Sequence, residues 1–247
     1  MDAAEGAQDG PLDAESLARF RAEGWLALGR ILDEETVRTL RAEERRFRLP
    51  RAYGGEANPT LFVNVQLCHR SEAIRRVCTT GPHVAMLRQL LGPAVCLTHQ
   101  QFIVKRPDAE GSRSDVPWHQ DDGYGRLEPP DDVTIFVALV DTDERNGGLS
   151  IVPGSHRAGL LPHGPAGVNP LLVETELPAE PVAVSLRAGE AVAFTGLTVH
   201  GSGPNRSGAE RAALFMRYCD PRVRMATEGD RPVLEDPHSW MVAGEAP

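Results

Sequence analysis

Residues 190–219 read "EAVAFTGLTVHGSGPNRSGAERAALFMRYC". Two β-rich runs, 190–200 and 211–219, are joined by ten residues rich in Gly, Ser, Pro and Asn. Runs bounded by such turn-formers are strands, and a link this short is suited to antiparallel neighbours. Similar runs precede them: "AVCLTHQQFIVK" (94–105), "DVTIFVALVD" (132–141), "GLSIVPG" (148–154) and "PVAVSL" (181–186). The first ninety residues have a different texture. "LDAESLARFRAEGW" (12–25) carries Leu12, Leu17, Phe20 and Trp25 at roughly helical spacing, with Gly24 near its end. "DEETVRTLRAEERRFRLP" (33–50) predicts a second helix, with Asp33 as N-cap, Val37, Leu40, Glu44 and Phe47 on one face, and Pro50 as the stop. Its basic run Arg45–Arg48 reads as a solvated helix end, where cations favour the dipole. A third helical region, 71–91, starts at Ser71, breaks at Gly81-Pro82 and stops at Gly92-Pro93. Helices followed by strands give a mainly β, α+β chain: a β-barrel or jelly roll with helices packed on one side.

At 247 residues the chain is long enough to bury a large core, and without repeats or long linkers it reads as one domain over 11–247 after a disordered 1–10. A formal charge of −9, from 26 basic and 35 acidic residues, argues against nucleic acid as a partner. No run approaches the roughly 18 apolar residues of a membrane span, and "MDAAEGAQDG" lacks the basic start and apolar core of a signal peptide. Cys68, Cys78, Cys96 and Cys219 form no C-x-x-C pair and read as free core thiols of a cytoplasmic protein.

The chemistry gathers around "PWHQDDGYG" (117–125). On a strand, residues i and i+2 share a face, so His119 and Asp121 converge while Gln120 and Asp122 turn away, and the two glycines let the chain turn out of the strand. Three further histidines are available to complete a metal site. His156 closes the turn signature V-P-G-S-H and reads as structural. His163 follows Pro162 in a Gly/Pro-rich loop with no strand to fix it. His200 ends a strong strand and so sits on a rigid element at a barrel mouth. Two imidazoles and one carboxylate on one face leave coordination positions open, which suits a non-haem Fe(II) oxygenase. A zinc hydrolase uses similar ligands but would need a nearby general base, and no helical His-Glu-x-x-His is present. Arg211 opens the strand that returns from His200. Antiparallel pairing would bring it beside the ligands, where its planar fork suits the distal carboxylate of a metal-chelating keto-acid. Arg206, in the loop itself, is less well fixed.

Taken in order, "PWHQDDGY", "VTIFVALVDTDERNGGLSIVPGSH" and "VAFTGLTVHGSGPNRSGAERAALFMRY" resemble the phytanoyl-CoA dioxygenase family of Fe(II)/2-oxoglutarate oxygenases, over about residues 12–220. The opening "ESLARFRAEGWLALGRILDEETV" is similar to that family's first helices. The combined H-x-D, N-G-G-x-x-x-x-P-G-S-H and H-x(10)-R pattern is far more specific than the tripeptide. The resemblance implies a double-stranded β-helix (jelly roll, cupin-like) with N-terminal helices on one sheet. It places His119, Asp121 and His200 on iron and Arg211 on 2-oxoglutarate. Ser202 falls where members hydrogen-bond the co-substrate, and Gln101 where they line its pocket. Asn64 stands where some members carry a lysine, a departure that removes an ionic contact. Trp118 and Tyr124 flank the ligands, and Phe215, four residues after Arg211, shares its strand face.

The implied reaction is hydroxylation of a C–H bond in a small-molecule substrate, consuming O2 and 2-oxoglutarate and releasing succinate and CO2. Asp121 favours that outcome, since a Gly or Ala there would open a halide position. Desaturation, cyclisation and epimerisation use the same site and are not separated by sequence. A non-oxidative cupin-like metal protein is the rival from another class, disfavoured by Arg211 and Ser202. No basic cluster suits a CoA diphosphate, so the family's name does not carry its substrate with it.

Overall fold

Capping fixes where the helices begin. In the computed structural model, which describes residues 11–48, 52–53, 56–57, 60–108, 114–164, 176–226 and 229–246, α1 (Ala14–Glu23) starts at Asp13, whose carboxylate accepts from Ser16 N at 2.7 Å. α2 (Glu34–Phe47) starts likewise at Asp33, which accepts from Thr36 N at 2.7 Å. α3 (Glu72–Thr79) is capped by Ser71, and α4 (Pro82–Leu91) opens on a proline and closes at Gly92. The first ten residues and Pro50 lie outside the described residues. Two details differ from the sequence reading. Gly24, at φ 75°, ends α1, and Trp25 then opens a strand instead of completing a helical face. Arg48 is not a solvated helix end: it bridges Glu44 and Glu210, each at 2.6 Å, and ties α2 to the chain before residue 211.

The strands of the first half are β1 (Trp25–Arg30), β2 (Ala52–Tyr53), β3 (Glu56–Ala57), β4 (Leu61–Val65), β5 (Val95–Lys105) and β6 (Val116–His119). Next come β7 (Leu127–Glu128), β8 (Asp132–Ala138), β9 (Leu149–Ile151), β10 (Val182–Ala183) and β11 (Glu190–Thr195). β12 (His200–Ser202), β13 (Arg211–Cys219), β14 (Arg224–Met225), β15 (Arg231–Pro232) and β16 (Trp240–Ala243) complete the chain. A seven-stranded antiparallel sheet runs β1-β11-β8-β13-β5-β16, with β4 also on β5. A smaller sheet runs β10-β9-β12-β6. Together they form the double-stranded β-helix.

The large sheet is buried on both faces, and its period of two sorts the side chains. Val133, Ile135 and Val137 of β8 and Ala212, Leu214, Met216 and Tyr218 of β13 join the helices in one core. Phe136, Ala138, Ala213 and Phe215 face the other way and pack with Leu149, Ile151 and Phe194 between the sheets. Arg211 and Arg217 share the parity of Ala213 and Phe215, so both guanidinium groups enter the barrel interior.

The run 190–200 is two strands. β11 ends at Thr195, a turn held by the Thr195–Thr198 hydroxyl contact (2.9 Å) follows, and His200 opens β12 in the other sheet. Arg211 therefore does not pair with the His200 strand. β13 pairs with β5 and β8, and the arginine reaches the site from the opposite sheet. Among the described residues no helix is long and apolar enough to cross a membrane.

Candidate active site

His119 ends β6 and His200 opens β12, and the two are cross-strand partners. Asp121 has left the strand and begins a 3-10 turn, Asp121–Gly123, so convergence comes from the turn and not from strand parity. Its Oδ1 lies 3.9 Å from His119 Nε2 and 3.6 Å from His200 Nε2. One ligand atom from each residue falls within 4.8 Å of the others, a spacing that fits a single metal ion.

Hydrogen bonding sets the state of each donor. His119 Nδ1 donates to Pro117 O at 2.8 Å and His200 Nδ1 to Thr198 O at 2.9 Å, leaving both Nε2 lone pairs turned towards Asp121. Burial, and next the neighbouring His200, push the His119 pKa down to about 3; burial likewise holds His200 down at about 4. Both rings are neutral at physiological pH, as metal ligation requires. Thr134 Oγ1 donates to Asp121 Oδ2 at 3.0 Å, fixing the carboxylate with Oδ1 towards the histidines.

The turn carrying Asp121 is braced from both sides. Gln120, fully buried, donates through Nε2 to Gly159 O (2.8 Å) and Leu197 O (2.6 Å), and accepts from Leu161 N at 2.7 Å. His163, read from sequence as a loose loop residue, accepts from Gln120 N at 3.1 Å. A Cβ on Gly123 would stand 2.2 Å from the His163 ring, so this glycine serves close approach. On the other side Arg217 Nη2 donates to Asp122, its Nε to Asp132 at 2.6 Å, and its Nη1 to Gly125 O at 2.9 Å. His156 lies 3.1 Å from Arg21 O, outside the site.

These groups border a cavity of about 900 Å³. Arg211 lines it and is almost wholly buried. Its Nε and Nη2 donate to Gly147 O at 3.0 and 2.5 Å, while Nη1 has no hydrogen-bond partner among the described residues. Burial lowers its pKa to about 10, still leaving it charged at neutral pH. A buried, open N–H on a fixed guanidinium beside a cavity has the donor chemistry that a carboxylate satisfies. Ser202, Gln101 and Phe215 also line the cavity. Asn64 does not. Leu61, Val63 and Val65 of β4 face the cavity, so period-two alternation turns Asn64 to the opposite face with Phe62, which belongs to the helix-side core. Tyr124 packs edge-on to His119 at 5.2 Å, and Trp118 lies against Gly201 outside the lining.

Gly147, from the N-G-G stretch, sits at φ 77°, and a Cβ there would approach Gly203 O to 2.6 Å and Lys105 Cδ to 3.0 Å. Gly147→Ala is expected to cost more than about 1 kcal/mol, because both the backbone angle and the space are wrong. It should also weaken carboxylate binding by moving the carbonyl that holds Arg211. Urea unfolding and co-substrate titration check the two effects.

Sequence reasoning missed Thr134, Gln120 and Arg217. For Arg217 a signal existed, since an arginine six residues after Arg211 in an unbroken strand shares its face. It also missed the contribution of the C-terminal segment, whose Met225, Arg231, Asp236 and His238 line the cavity, with β16 pairing along β5.

Comparison with known proteins supplies the family. The family model "Phytanoyl-CoA dioxygenase (PhyH)" matches residues 20–213. Peroxisomal phytanoyl-CoA dioxygenase of Rattus norvegicus is 25% identical over 84% of this chain and 68% of its own length; the chain spans about half (49%) of the bovine and human proteins. L-proline trans-4-hydroxylase of Streptomyces griseoviridis is 30% identical over 84% of this chain and 85% of that protein. Among solved structures, the epimerase SnoN in complex with Fe3+, alpha ketoglutarate and nogalamycin RO superposes with a TM-score of 0.74 at 24% identity, over 89% of this chain and 86% of that one, a likeness of fold. Since the family model spans both histidines, Asp121 and Arg211, the chain belongs to the phytanoyl-CoA dioxygenase family.

Proposed function

We propose that this protein hydroxylates a C–H bond of a small polar molecule, with His119, Asp121 and His200 holding iron(II) and Arg211 and Ser202 holding 2-oxoglutarate. The observation that carries the reading is the combination of two neutral imidazole Nε2 atoms and a fixed carboxylate with an open guanidinium N–H on the same cavity. Iron and 2-oxoglutarate, when bound, supply O2-dependent oxidation of the substrate with release of succinate and CO2. The chain's own residues do the rest. Pro117 O and Thr198 O fix the histidine tautomers, Thr134 fixes Asp121, and Gly147 O fixes Arg211. Phe136, Phe194 and Phe215 give that end of the cavity apolar walls, which strengthens every charged contact there.

The cavity wall along β4 and β5 mixes apolar Leu61, Val63, Val65 and Ile103 with polar Gln66 and His99. Arg217 and Arg231, which also line the cavity, are each committed to aspartates, so they offer no basic pair for a diphosphate. That supports a small polar metabolite over a CoA thioester, with residues 11–247 acting as one catalytic unit. Incubation with Fe(II), 2-oxoglutarate and a metabolite panel, reading succinate and +16 mass products by mass spectrometry, tests the reading. Absence of substrate-stimulated succinate across a broad panel counts against it.

Arg211→Lys keeps the charge but removes the fork. We expect 2-oxoglutarate affinity to fall about ten- to a hundredfold, the value of a charge-assisted hydrogen bond, with metal affinity unchanged. Arg206, exposed in the preceding loop, is the control, and Arg206→Lys should leave both affinities alone. Equal effects of the two variants would remove Arg211 from the site.

A further inference from the structure

Lys105 ends β5 directly opposite Arg211 of β13 and is fully buried. Its Nζ meets three oxygens: Ser202 Oγ at 2.6 Å, Gly203 O at 2.7 Å and Ser202 O at 3.2 Å. All three are uncharged. Three acceptors match the three N–H bonds of an ammonium, and two of them are carbonyls that can only accept. The contact to Ser202 Oγ therefore takes up one of its lone pairs, and the hydroxyl proton is left to be given elsewhere. Ser202 lines the cavity beside Arg211. Burial first, and then the Arg211 guanidinium, hold the Lys105 pKa well below the ordinary lysine range, with Asp115 and Asp108 opposing. With the Lys105 Nζ held against Ser202 and the neighbouring buried Arg211 guanidinium keeping an open N–H among the described residues, this corner of the cavity is rich in donors and suited to an anion.

We propose that Lys105 is a positioning residue for the co-substrate: it fixes Ser202 as a hydrogen-bond donor and, with Arg211, selects a keto-acid bearing a second, distal carboxylate. This rests on the reading of 2-oxoglutarate as co-substrate. Lys105 need not touch the ligand, because it acts through the orientation of the serine. A lysine that merely held β5 against β12 would support every ligand of the cavity equally. One that completes the carboxylate corner matters only to ligands that reach it.

The test compares two ligands by calorimetric titration of anaerobic Fe(II)-loaded protein: 2-oxoglutarate, and 2-oxobutyrate, which chelates in the same way but lacks the distal carboxylate. In Lys105→Met we expect 2-oxoglutarate binding to weaken about tenfold or more, and 2-oxobutyrate binding to stay within about twofold of wild type. Adding Ser202→Ala to Lys105→Met should cost little further, since the serine has already lost its fixed orientation. Lys105→Gln, which keeps hydrogen-bonding reach without charge, is read in the same way should the methionine variant not fold. Equal weakening of both ligands, or no weakening of 2-oxoglutarate, overturns the proposal while leaving the co-substrate reading intact. Wild-type protein that binds 2-oxobutyrate as well as 2-oxoglutarate also overturns it. Failure of the wild type to bind either ligand overturns the co-substrate reading, and Lys105's role with it.

Discussion

Asp121→Ala should eliminate detectable 2-oxoglutarate turnover and lower iron affinity by more than about a hundredfold. Loss of groups that merely orient metal ligands already costs about ten- to a hundredfold, and Asp121 is the sole carboxylate between His119 and His200 in the cluster. The metal-free variant should nevertheless fold. Burial chiefly, with Asp121 adding as a like charge, raises the Asp132 pKa, so removing Asp121 relieves some repulsion behind the site. Metal titration and a thermal melt of the same preparation separate the two effects. Thr134→Val provides a graded comparison, because it frees the carboxylate to rotate without removing it, and its loss should be smaller. An Asp121→Ala protein that binds and uses iron normally would mean that the ligand set is wrong.

Arg217→Met carries the largest expected effect on stability. It leaves Asp122, Asp132 and the Gly125 carbonyl without the cation that joins them, and breaking a buried pair in this way costs roughly 3–5 kcal/mol. The pH dependence has a definite sign. Burial, then the adjacent Asp132, already push the Asp122 pKa up to about 6 against the pull of Arg217. Without the arginine both carboxylates rise further. A carboxylate whose folded pKa is raised holds a proton that the unfolded chain has released, so stability falls as pH rises from about 4 through the folded pKa. The deficit should therefore be greater at pH 8 than at pH 5. Urea titrations of wild type and variant at both values measure it, and a deficit that does not change with pH would mean that the carboxylates are not what Arg217 compensates.

The long strands were legible because their composition and bounding turns leave little choice. β13 spans the residues 211–219 expected of it, and Asp33, Ser71 and Gly92 mark helix ends where the sequence places them. What composition cannot reveal is a change of sheet inside one apolar run. Residues 190–200 look continuous, yet the chain crosses from the large sheet to the small one within Gly196–Val199. That crossing puts His200 opposite His119 and leaves Arg211 facing them from the other wall. Asn64 shows the converse: similarity placed it by the cavity, and alternation along β4 turned it away. The residues that steady the site were hidden for a different reason. Thr134, Lys105 and Arg217 stand 13, 97 and 85 positions from the partners they hold; strand parity gave the face of Arg217, but no local pattern names any of the three partners.

The lining of the cavity by Met225, Arg231, Asp236 and His238 gives the molecule a division of labour. The oxidising end is assembled from the two sheets of the β-helix, where shifting one strand disturbs all the others. The wall carrying Met225, Arg231, Asp236 and His238 is made of short strands and turns, and among the described residues it adds nothing to the His119–Asp121–His200 cluster. Under the proposed function, changes in that wall would alter which molecule is admitted while leaving the metal-binding residues in place. A single scaffold can in this way pass from one metabolite to another by small inherited steps, keeping a working catalyst at each stage.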